Sequence, residues 1–211
     1  MMSDYDDLTL AQYRDALASS NPTPGGGTAA AVALSQGAAL AVMVCDLTLG
    51  KDKWEGGWIA ADATKTVALR LMEEGHALAQ RDAASFDDVM AAYKLSRNSD
   101  EETEVRRLTI EEATIVAAQV PMETARAALG LLALLPQLAE SGNGNAVTDV
   151  GVAGLLVSAS CKGALFNVEI NASSLPDEIS NQLMREVGEI RGQAKELSRA
   201  IMNAVNVRLN S

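Results

Sequence analysis

The feature that most constrains the fold of this 211-residue chain is a proline- and glycine-rich segment, residues 21–27, followed by a long run of small apolar residues. Pro22 and Pro24 are disfavoured in a helix interior, and the three glycines at residues 25–27 let the backbone approach a ligand closely. Residues 28–49 contain no proline and predict a helix that opens onto the glycine loop. The free N–H groups of such a helix end attract an anion or an electron-rich carbonyl.

Three structures are compatible with residues 21–53. A nucleotide-binding P-loop is disfavoured, because GGGT lacks the Lys-Ser/Thr pair that reaches the phosphates and magnesium. A membrane span has a suitable length, but polar residues interrupt it and alanine rather than leucine dominates. We favour a buried helix of a helical bundle, in which small side chains at three- or four-residue spacing let another helix approach closely. These small side chains belong to Gly27, Ala31, Ser35, Ala38 and Val42.

Composition narrows the class of protein. Hydrophobic residues make up 48% of the chain but aromatics only 3%, which favours tightly packed helices over a β-sandwich. The formal net charge of −11 argues against nucleic acid as a partner. The acidic N-terminus lacks the apolar region of a signal peptide, and Cys45 and Cys161 are far apart in sequence. These features predict a cytoplasmic protein with reduced, buried thiols and no membrane association.

Helical periodicity runs through the chain, and no alternating strand pattern interrupts it. We therefore predict one all-α domain over residues 1–211, built from long antiparallel helices that form a bundle. Pro121 is expected to kink or divide one helix, and SGNGN at residues 141–145 predicts a turn. Asp6 or Asp7 is the expected cap of the first helix. The helices are predicted at residues 7–19, 28–49, 58–93, 100–135, 146–172 and 176–207.

Metal chemistry and covalent catalysis are not expected. The single histidine, His76, lies in a helical pattern, and the two cysteines lie in different predicted helices, so there is no ligand pair at metal spacing. The sequence also lacks a Gly-x-Ser-x-Gly elbow. Any hydrolytic chemistry must therefore use carboxylates, amides, lysines and helix ends.

Two carboxylates and two amides are candidates for such chemistry. Asp82 lies one turn before Phe86, which is expected to point inward and to bring Asp82 towards the interior. Asp149 follows a Gly/Asn turn at a helix start, where the helix dipole alone also favours a carboxylate. Asn167 and Asn171 share one face of an apolar helix, where a buried amide must bind either backbone or a ligand.

Four segments of the chain, in order and over nearly its whole length, resemble the signature motifs of the cyclodeaminase/cyclohydrolase family. They are PTPGGGTAAAVALSQGAALAVMVCDLTLGKDKW, RDAASFDDVMAAYKLSRNSDEE, GNGNAVTDVGVA and ALFNVEINASSLPDE. The chain departs from the family pattern at Thr28, where serine is usual, at Asp46 in place of asparagine, and at Ser96-Arg97 in place of Pro-Lys.

The resemblance implies an all-helical homodimer that acts on a tetrahydrofolate derivative without a cofactor or metal. In the cyclohydrolase reaction, water adds to the cationic carbon between N5 and N10 of methenyltetrahydrofolate, and a carboxylate can stabilise that cation and activate the water. Asp82 and Asp149 are the candidate catalytic residues. Lys51 and Lys53 would meet the anionic glutamate tail. The candidate substrate-binding residues are Pro24, Gly25, Gly26, Gly27, Thr28, Lys51, Lys53, Asn145, Asn167 and Asn171.

Three functions remain open at this point. The first is methenyltetrahydrofolate cyclohydrolase, which the lack of a formiminotransferase domain in this sequence favours. The second is formiminotetrahydrofolate cyclodeaminase. The third is a non-catalytic, folate-binding helical dimer, which Asp46 keeps open because it introduces an anion close to the expected site.

Overall fold

The computed structural model describes residues 5–210, and within that range it contains seven α-helices and no β-strand. The prediction of an all-α fold is confirmed. Short 3-10 turns at Tyr5–Asp7, Asp52–Gly57 and Gly144–Ala146 accompany the helices. The helices are α1 (Leu10–Leu17), α2 (Gly26–Thr48), α3 (Trp58–Tyr93), α4 (Asp100–Leu132), α5 (Leu135–Ser141), α6 (Val147–Ala172) and α7 (Asp177–Leu209).

Helix α1 begins later than predicted, and its cap is a different residue. Thr9 is the N-cap: its hydroxyl accepts the backbone N–H of Gln12, and the Gln12 side chain accepts the backbone N–H of Thr9 at 2.8 Å. The prediction that Asp6 or Asp7 caps this helix is wrong, because both residues belong to a separate 3-10 turn. This reciprocal pair of hydrogen bonds satisfies two backbone donors at once.

The small residues of α2 let α3 approach closely, as predicted. Helix α2 begins at Gly26, so two of the three loop glycines belong to its first turn. On α3, a Cβ at Gly75 would lie 3.0 Å from the Ala31 carbonyl oxygen and 2.9 Å from the Ser35 Cβ. Ser35 also donates to the Met72 carbonyl at 2.9 Å. Backbone contact at this distance aligns α2 and α3 side by side.

The predicted helix over residues 100–135 differs from the structure at two points. Helix α4 continues through Pro121 to Leu132, so the proline does not divide it. Proline removes one backbone hydrogen bond, and the burial of Pro121 and of its neighbours Val120 and Met122 holds the helix together there. A short break follows at residues 133–134, and α5 is a separate helix.

Helix α6 repeats the small-residue packing of α2, here against α7. Gly154 faces Ile201, where an added Cβ would lie 2.9 Å from the isoleucine Cγ2. The Ser198 hydroxyl on α7 donates to Ser158 on α6 at 2.8 Å. Helix α2 therefore packs between α3 and α6, and α6 packs between α2, α4 and α7.

Helix α2 and the segment Gly144–Ala172 are each long and apolar enough to cross a membrane, judged by length and composition alone. In both, 56% of the apolar window is buried inside the chain. Core helices pass the same test, so this is weak evidence for a membrane span. The two cysteines lie on these helices, and both are buried and free, as predicted. Burial raises the pKa of Cys45 to about 12 and that of Cys161 to about 11.

Candidate active site

A pocket opens at one end of the bundle, where the start of α2 meets the C-terminal half of α3 and the C-terminal end of α6. It encloses about 480 Å³, part of which is open solvent. The sequence-predicted residues on its wall are residues 25–27, Asp82, Asn167 and Asn171. Helix α2 and helix α6 are antiparallel neighbours, and this arrangement brings motifs from distant parts of the sequence to one place.

Asp82 lies against the first turn of α2 and acts as a cap supplied by another helix. One of its carboxylate oxygens accepts the Thr28 hydroxyl at 2.9 Å, and the carboxylate also accepts the backbone N–H of Thr28. A side chain at Gly27 would collide with the Asp82 carboxylate. Glycine at position 27 is therefore needed for the carboxylate to reach the helix end.

Burial raises the pKa of the Asp82 carboxyl above its ordinary value, while the hydrogen bonds from Thr28 act in the opposite direction and only partly offset it. A carboxylate that is partly removed from water has a stronger tendency to take a proton. At the same time, the hydrogen bonds hold it in one orientation. Both properties suit a general base or a stabiliser of positive charge.

Phe86 reaches the pocket but is not buried in the core as the sequence reasoning expected. It lines the pocket wall and keeps 39% of its surface exposed. Asp82 shares this wall because it lies one turn earlier on α3. The prediction that Asp82 faces the site is consistent with the geometry, whereas the prediction that Phe86 points into the interior is wrong.

Asn167 and Asn171 stand one above the other on α6, and backbone hydrogen bonds hold their amides. The Nδ2 of Asn171 donates to the carbonyls of Ala117 at 2.7 Å and of Asn167 at 2.9 Å, which uses both of its hydrogens. The Nδ2 of Asn167 donates to the Gly163 carbonyl at 2.9 Å. A ligand can therefore meet Asn171 only through its acceptor Oδ1.

Two tyrosines that the sequence reasoning did not assign to the site lie near Asp82. The rings of Tyr5 and Tyr13 meet edge to face with centroids 6.0 Å apart. The pKa of Tyr13 is raised to about 12, mainly by burial and to a smaller extent by the nearby Tyr5 and Asp82. The pKa of Tyr5 is also raised, mainly by burial and to a smaller extent by the negative charges of Asp87 and Asp82. The Tyr13 hydroxyl is buried and has no hydrogen-bond partner among the described residues.

Sequence spacing did not identify these two tyrosines as neighbours of the site. It also did not identify four residues of the pocket wall, which are Pro22, Thr23, Ser85 and Ala117. Tyr13 fits an apolar face of α1, and only the folded chain brings its ring against Tyr5 and near Asp82. Pro24, a predicted substrate-binding residue, is buried and is not part of the pocket wall.

The other predicted site residues lie at the opposite end of the bundle. Helix α2 has 23 residues and is about 35 Å long at 1.5 Å per residue, and Lys51 and Lys53 follow its far end. Asn145 and Asp149 are at the start of α6, whereas Asn167 and Asn171 are near its end. The prediction that all these residues share one site is therefore not met within a single chain.

Hydrogen bonds tie the turn before α6 to the end of α2. Asn143 donates from its side chain to the Leu47 carbonyl at 2.8 Å, and its backbone N–H donates to the Thr48 hydroxyl at 3.0 Å. Asp46 also lies at this end and pairs with Lys65 at 2.6 Å. The expectation that Asp46 lies close to the pocket is therefore wrong within a single chain. Its negative charge is balanced by Lys65.

Within residues 5–210, no three His, Cys, Asp or Glu side chains are close enough together to hold a metal ion. The chemistry that the pocket offers comes instead from one oriented carboxylate, backbone N–H groups and amide oxygens. The structure is thus a bundle of α-helices with a pocket that contains one oriented carboxylate.

Comparisons with known proteins identify the family. The family model described as formiminotransferase-cyclodeaminase matches residues 9–189. The methenyltetrahydrofolate cyclohydrolase of Methylorubrum extorquens is 38% identical over 207 residues, which cover 96% of this chain and 98% of that protein. The chain belongs to the formiminotransferase-cyclodeaminase family.

Two further proteins are similar to this chain, one in sequence and one in structure. The formimidoyltransferase-cyclodeaminase of Rattus norvegicus is 28% identical over 96% of this chain, which spans only 38% of that protein. The crystal structure of formiminotetrahydrofolate cyclodeaminase from Thermotoga maritima matches with a TM-score of 0.85 and 29% identity. That match covers 95% of this chain and 97% of the solved one.

Proposed function

We propose that this protein is a methenyltetrahydrofolate cyclohydrolase, which hydrolyses 5,10-methenyltetrahydrofolate to 10-formyltetrahydrofolate. The observation that carries the proposal is the similarity, at 38% identity and nearly equal length, to the Methylorubrum extorquens enzyme of that name. The pocket supports it with a carboxylate, Asp82, whose environment suits a reaction at a cationic carbon.

In the proposed mechanism, Asp82 first stabilises the positive charge of the methenyl bridge. Water then attacks the bridging carbon, and the carboxylate takes one of its protons. The adduct opens by breaking the bond from that carbon to N5. N5 receives the proton from Asp82, the adduct hydroxyl releases its proton to solvent, and the formyl group stays on N10.

The pocket wall gives the other groups that this reaction needs. The backbone at residues 25–27 presents the positive end of the α2 dipole to an electron-rich oxygen of the substrate. The Asn171 Oδ1 can accept a hydrogen bond from a ring N–H or from the attacking water. Both are positioned before the substrate arrives, which lowers the cost of ordering the site.

We also propose that catalysis needs no metal or cofactor, because the substrate already carries the positive charge that a metal would otherwise supply. Turnover is expected to persist after treatment with a strong chelator. Loss of activity with chelator, restored by zinc, would contradict this part of the proposal. We further propose that the protein is a cytoplasmic homodimer.

The test of the function is a spectrophotometric assay. Methenyltetrahydrofolate is expected to lose its near-ultraviolet absorbance faster with the protein than in buffer alone, where it hydrolyses spontaneously. The structural match to a formiminotetrahydrofolate cyclodeaminase makes that reaction the second candidate. Release of ammonia from 5-formiminotetrahydrofolate, without hydrolysis of the methenyl compound above background, would establish it instead. Folate binding without either turnover would leave a non-catalytic folate-binding dimer.

A further inference from the structure

Among the described residues that line the pocket, Phe86 is the one aromatic side chain, and its ring is partly open to solvent. Such a ring is scarce in this protein, because aromatic residues make up only 3% of the chain. Phe86 lies one helical turn after Asp82 on α3, and side chains at this spacing are neighbours on one face of a helix. The pocket therefore presents a carboxylate and an aromatic ring side by side.

The same wall has a negative charge and no positive one. Within residues 5–210, Asp82 is the one charged side chain that lines the pocket. A second carboxylate, Asp87, accepts the hydroxyl of the wall residue Thr23 at 3.5 Å. The N-terminus of α2 contributes about half of an elementary positive charge, which compensates a full carboxylate charge only in part. The electrostatics of the pocket therefore favour a cationic ligand.

The face of the Phe86 ring is not occupied by a cation of the protein in the described part of the chain. Other rings are occupied in this way. The guanidinium carbon of Arg106 lies 5.4 Å from the ring centre of Tyr93. The Nζ of Lys53 lies 4.7 Å from that of Trp54. A cation within about 6 Å of a ring centre is attracted by the negative face of the ring, and more strongly when water is excluded. A cation that meets Phe86 therefore comes from a ligand in the pocket.

We propose that Phe86 is a specificity-determining residue whose ring, together with the Asp82 carboxylate, selects a ligand with a positive charge delocalised over an N–C–N group. The methenyl bridge of the proposed substrate is such a cation, so the identity of the natural ligand rests on the proposed function. The one-carbon group of 10-formyltetrahydrofolate is neutral. The ring therefore favours binding of the substrate over binding of the product.

Phe86 acts on binding rather than on the chemical step. Addition of water removes the positive charge from the bridging carbon, so the ring attracts the bound substrate more strongly than the adduct. An interaction of this kind lowers KM but does not raise kcat. Asp82 differs, because its carboxylate takes a proton during the proposed reaction. The two neighbouring side chains therefore have different kinetic effects when they are replaced.

The kinetic test compares a cationic ligand with a neutral one. Phe86→Leu keeps an apolar side chain but removes the ring, and it should raise KM for methenyltetrahydrofolate about three- to tenfold while kcat stays within about twofold of the parent. Phe86→Tyr keeps the ring and should retain the parent KM. The inhibition constant of 5-formyltetrahydrofolate, a competitor with a neutral one-carbon group, should change less than about twofold in either variant.

Tyr93→Leu is the matched control, since it removes an exposed ring from the same helix outside the pocket wall. It should retain the parent KM and inhibition constant, and circular dichroism should show all three variants folded. An unchanged KM in Phe86→Leu would overturn the inference. So would a KM that rises equally in Phe86→Tyr, or equal losses for the cation and the neutral competitor, because the side chain would then only fill space.

Binding of 1,3-dimethylimidazolium, an unreactive N–C–N cation, tests the inference without turnover. In a proton NMR titration with the parent protein, its methyl resonances should move upfield, because the face of an aromatic ring shields protons above it. The shift should persist with Phe86→Tyr and disappear with Phe86→Leu. Neutral 1,3-dimethyl-2-imidazolidinone should show a smaller shift.

The two measurements separate the inference from the proposed function. If the parent protein hydrolyses methenyltetrahydrofolate but does not shift the imidazolium resonances, or shifts those of the neutral compound equally, the role of Phe86 is overturned and the proposed function stands. If the parent protein shows no hydrolysis but produces the shift that depends on Phe86, the proposed function fails and the recognition of an N–C–N cation stands.

Discussion

The two ends of the α2–α6 pair contain similar residue types in very different surroundings. At the pocket end, Asp82 is partly buried, accepts two hydrogen bonds from Thr28 and is pressed against a glycine. At the far end, Lys51 and Lys53 are exposed, and Asp46 forms an ion pair near the surface. The comparison shows that a family motif identifies candidate residues, whereas orientation and burial distinguish Asp82, the carboxylate that we propose to be catalytic, from Asp46.

The largest expected effect comes from removing the charge at the pocket end. Asp82→Asn should lower turnover by at least about a hundredfold, because the amide keeps the shape but cannot take a proton. The matched control is Asp88→Asn, an exposed position on the same helix. Circular dichroism should show both variants folded. Parent-like turnover of Asp82→Asn would show that Asp82 is not catalytic. The burial of this carboxylate would then not distinguish it functionally from the exposed charges at the far end.

A smaller loss is expected when the carboxylate is displaced but not removed. Gly27→Ala would place a methyl group where the Asp82 carboxylate lies, so kcat should fall by about ten- to a hundredfold, because small misplacements of catalytic groups are costly. Gly56→Ala is the control, since a Cβ at that position meets nothing within 4 Å. Equal rates for the two glycine variants would mean that the contact between Gly27 and Asp82 has no role in catalysis.

The hydrogen bond from Thr28 should set the pH dependence. Asp82 must be ionised to take a proton, so the rate falls as pH falls through its pKa, and burial places that limb above the ordinary value of 3.8. Thr28→Val removes a bond that lowers the pKa, so the acidic limb of kcat/KM should move to higher pH.

The control for this measurement is Thr66→Val, where the hydroxyl only bonds to a backbone carbonyl one turn earlier at an exposed site. Its acidic limb should coincide with that of the parent. A limb that moves to lower pH in Thr28→Val, or that persists unchanged in Asp82→Asn, would show that another group titrates.

The smallest effect is expected at the far end. Replacing Lys51 and Lys53 by alanine should raise KM for a polyglutamylated substrate by about two- to fivefold and leave kcat unchanged, because exposed charge pairs contribute little. Lys94→Ala, an exposed lysine after α3, is the control. If KM is unchanged in the double variant, the lysines do not meet the substrate, and the far end contributes no binding.

Much of the fold follows from local sequence. The bounds of α3 were predicted to the residue, and those of α6 to within one, because helical periodicity and glycine-rich breaks are local properties. The small residues of α2 and α6 also indicated close helix packing. The N-cap of α1 was predicted wrongly because Thr9 competes with the earlier aspartates for this position. At Pro121 the helix is not divided, because the residue is buried within a continuous α4.

The sequence by itself determined the helices, and its motifs, through their family resemblance, pointed to Asp82, the glycine loop, Asn167 and Asn171 as parts of one site. The tertiary structure alone decided which end of each helix these residues occupy. Antiparallel packing brings residue 82 to residue 28 and separates residue 149 from both, and no local pattern encodes a contact between residues 54 positions apart. It also decided that Phe86 lines the pocket and that Tyr5 and Tyr13 lie near Asp82, because these placements depend on how whole helices pack.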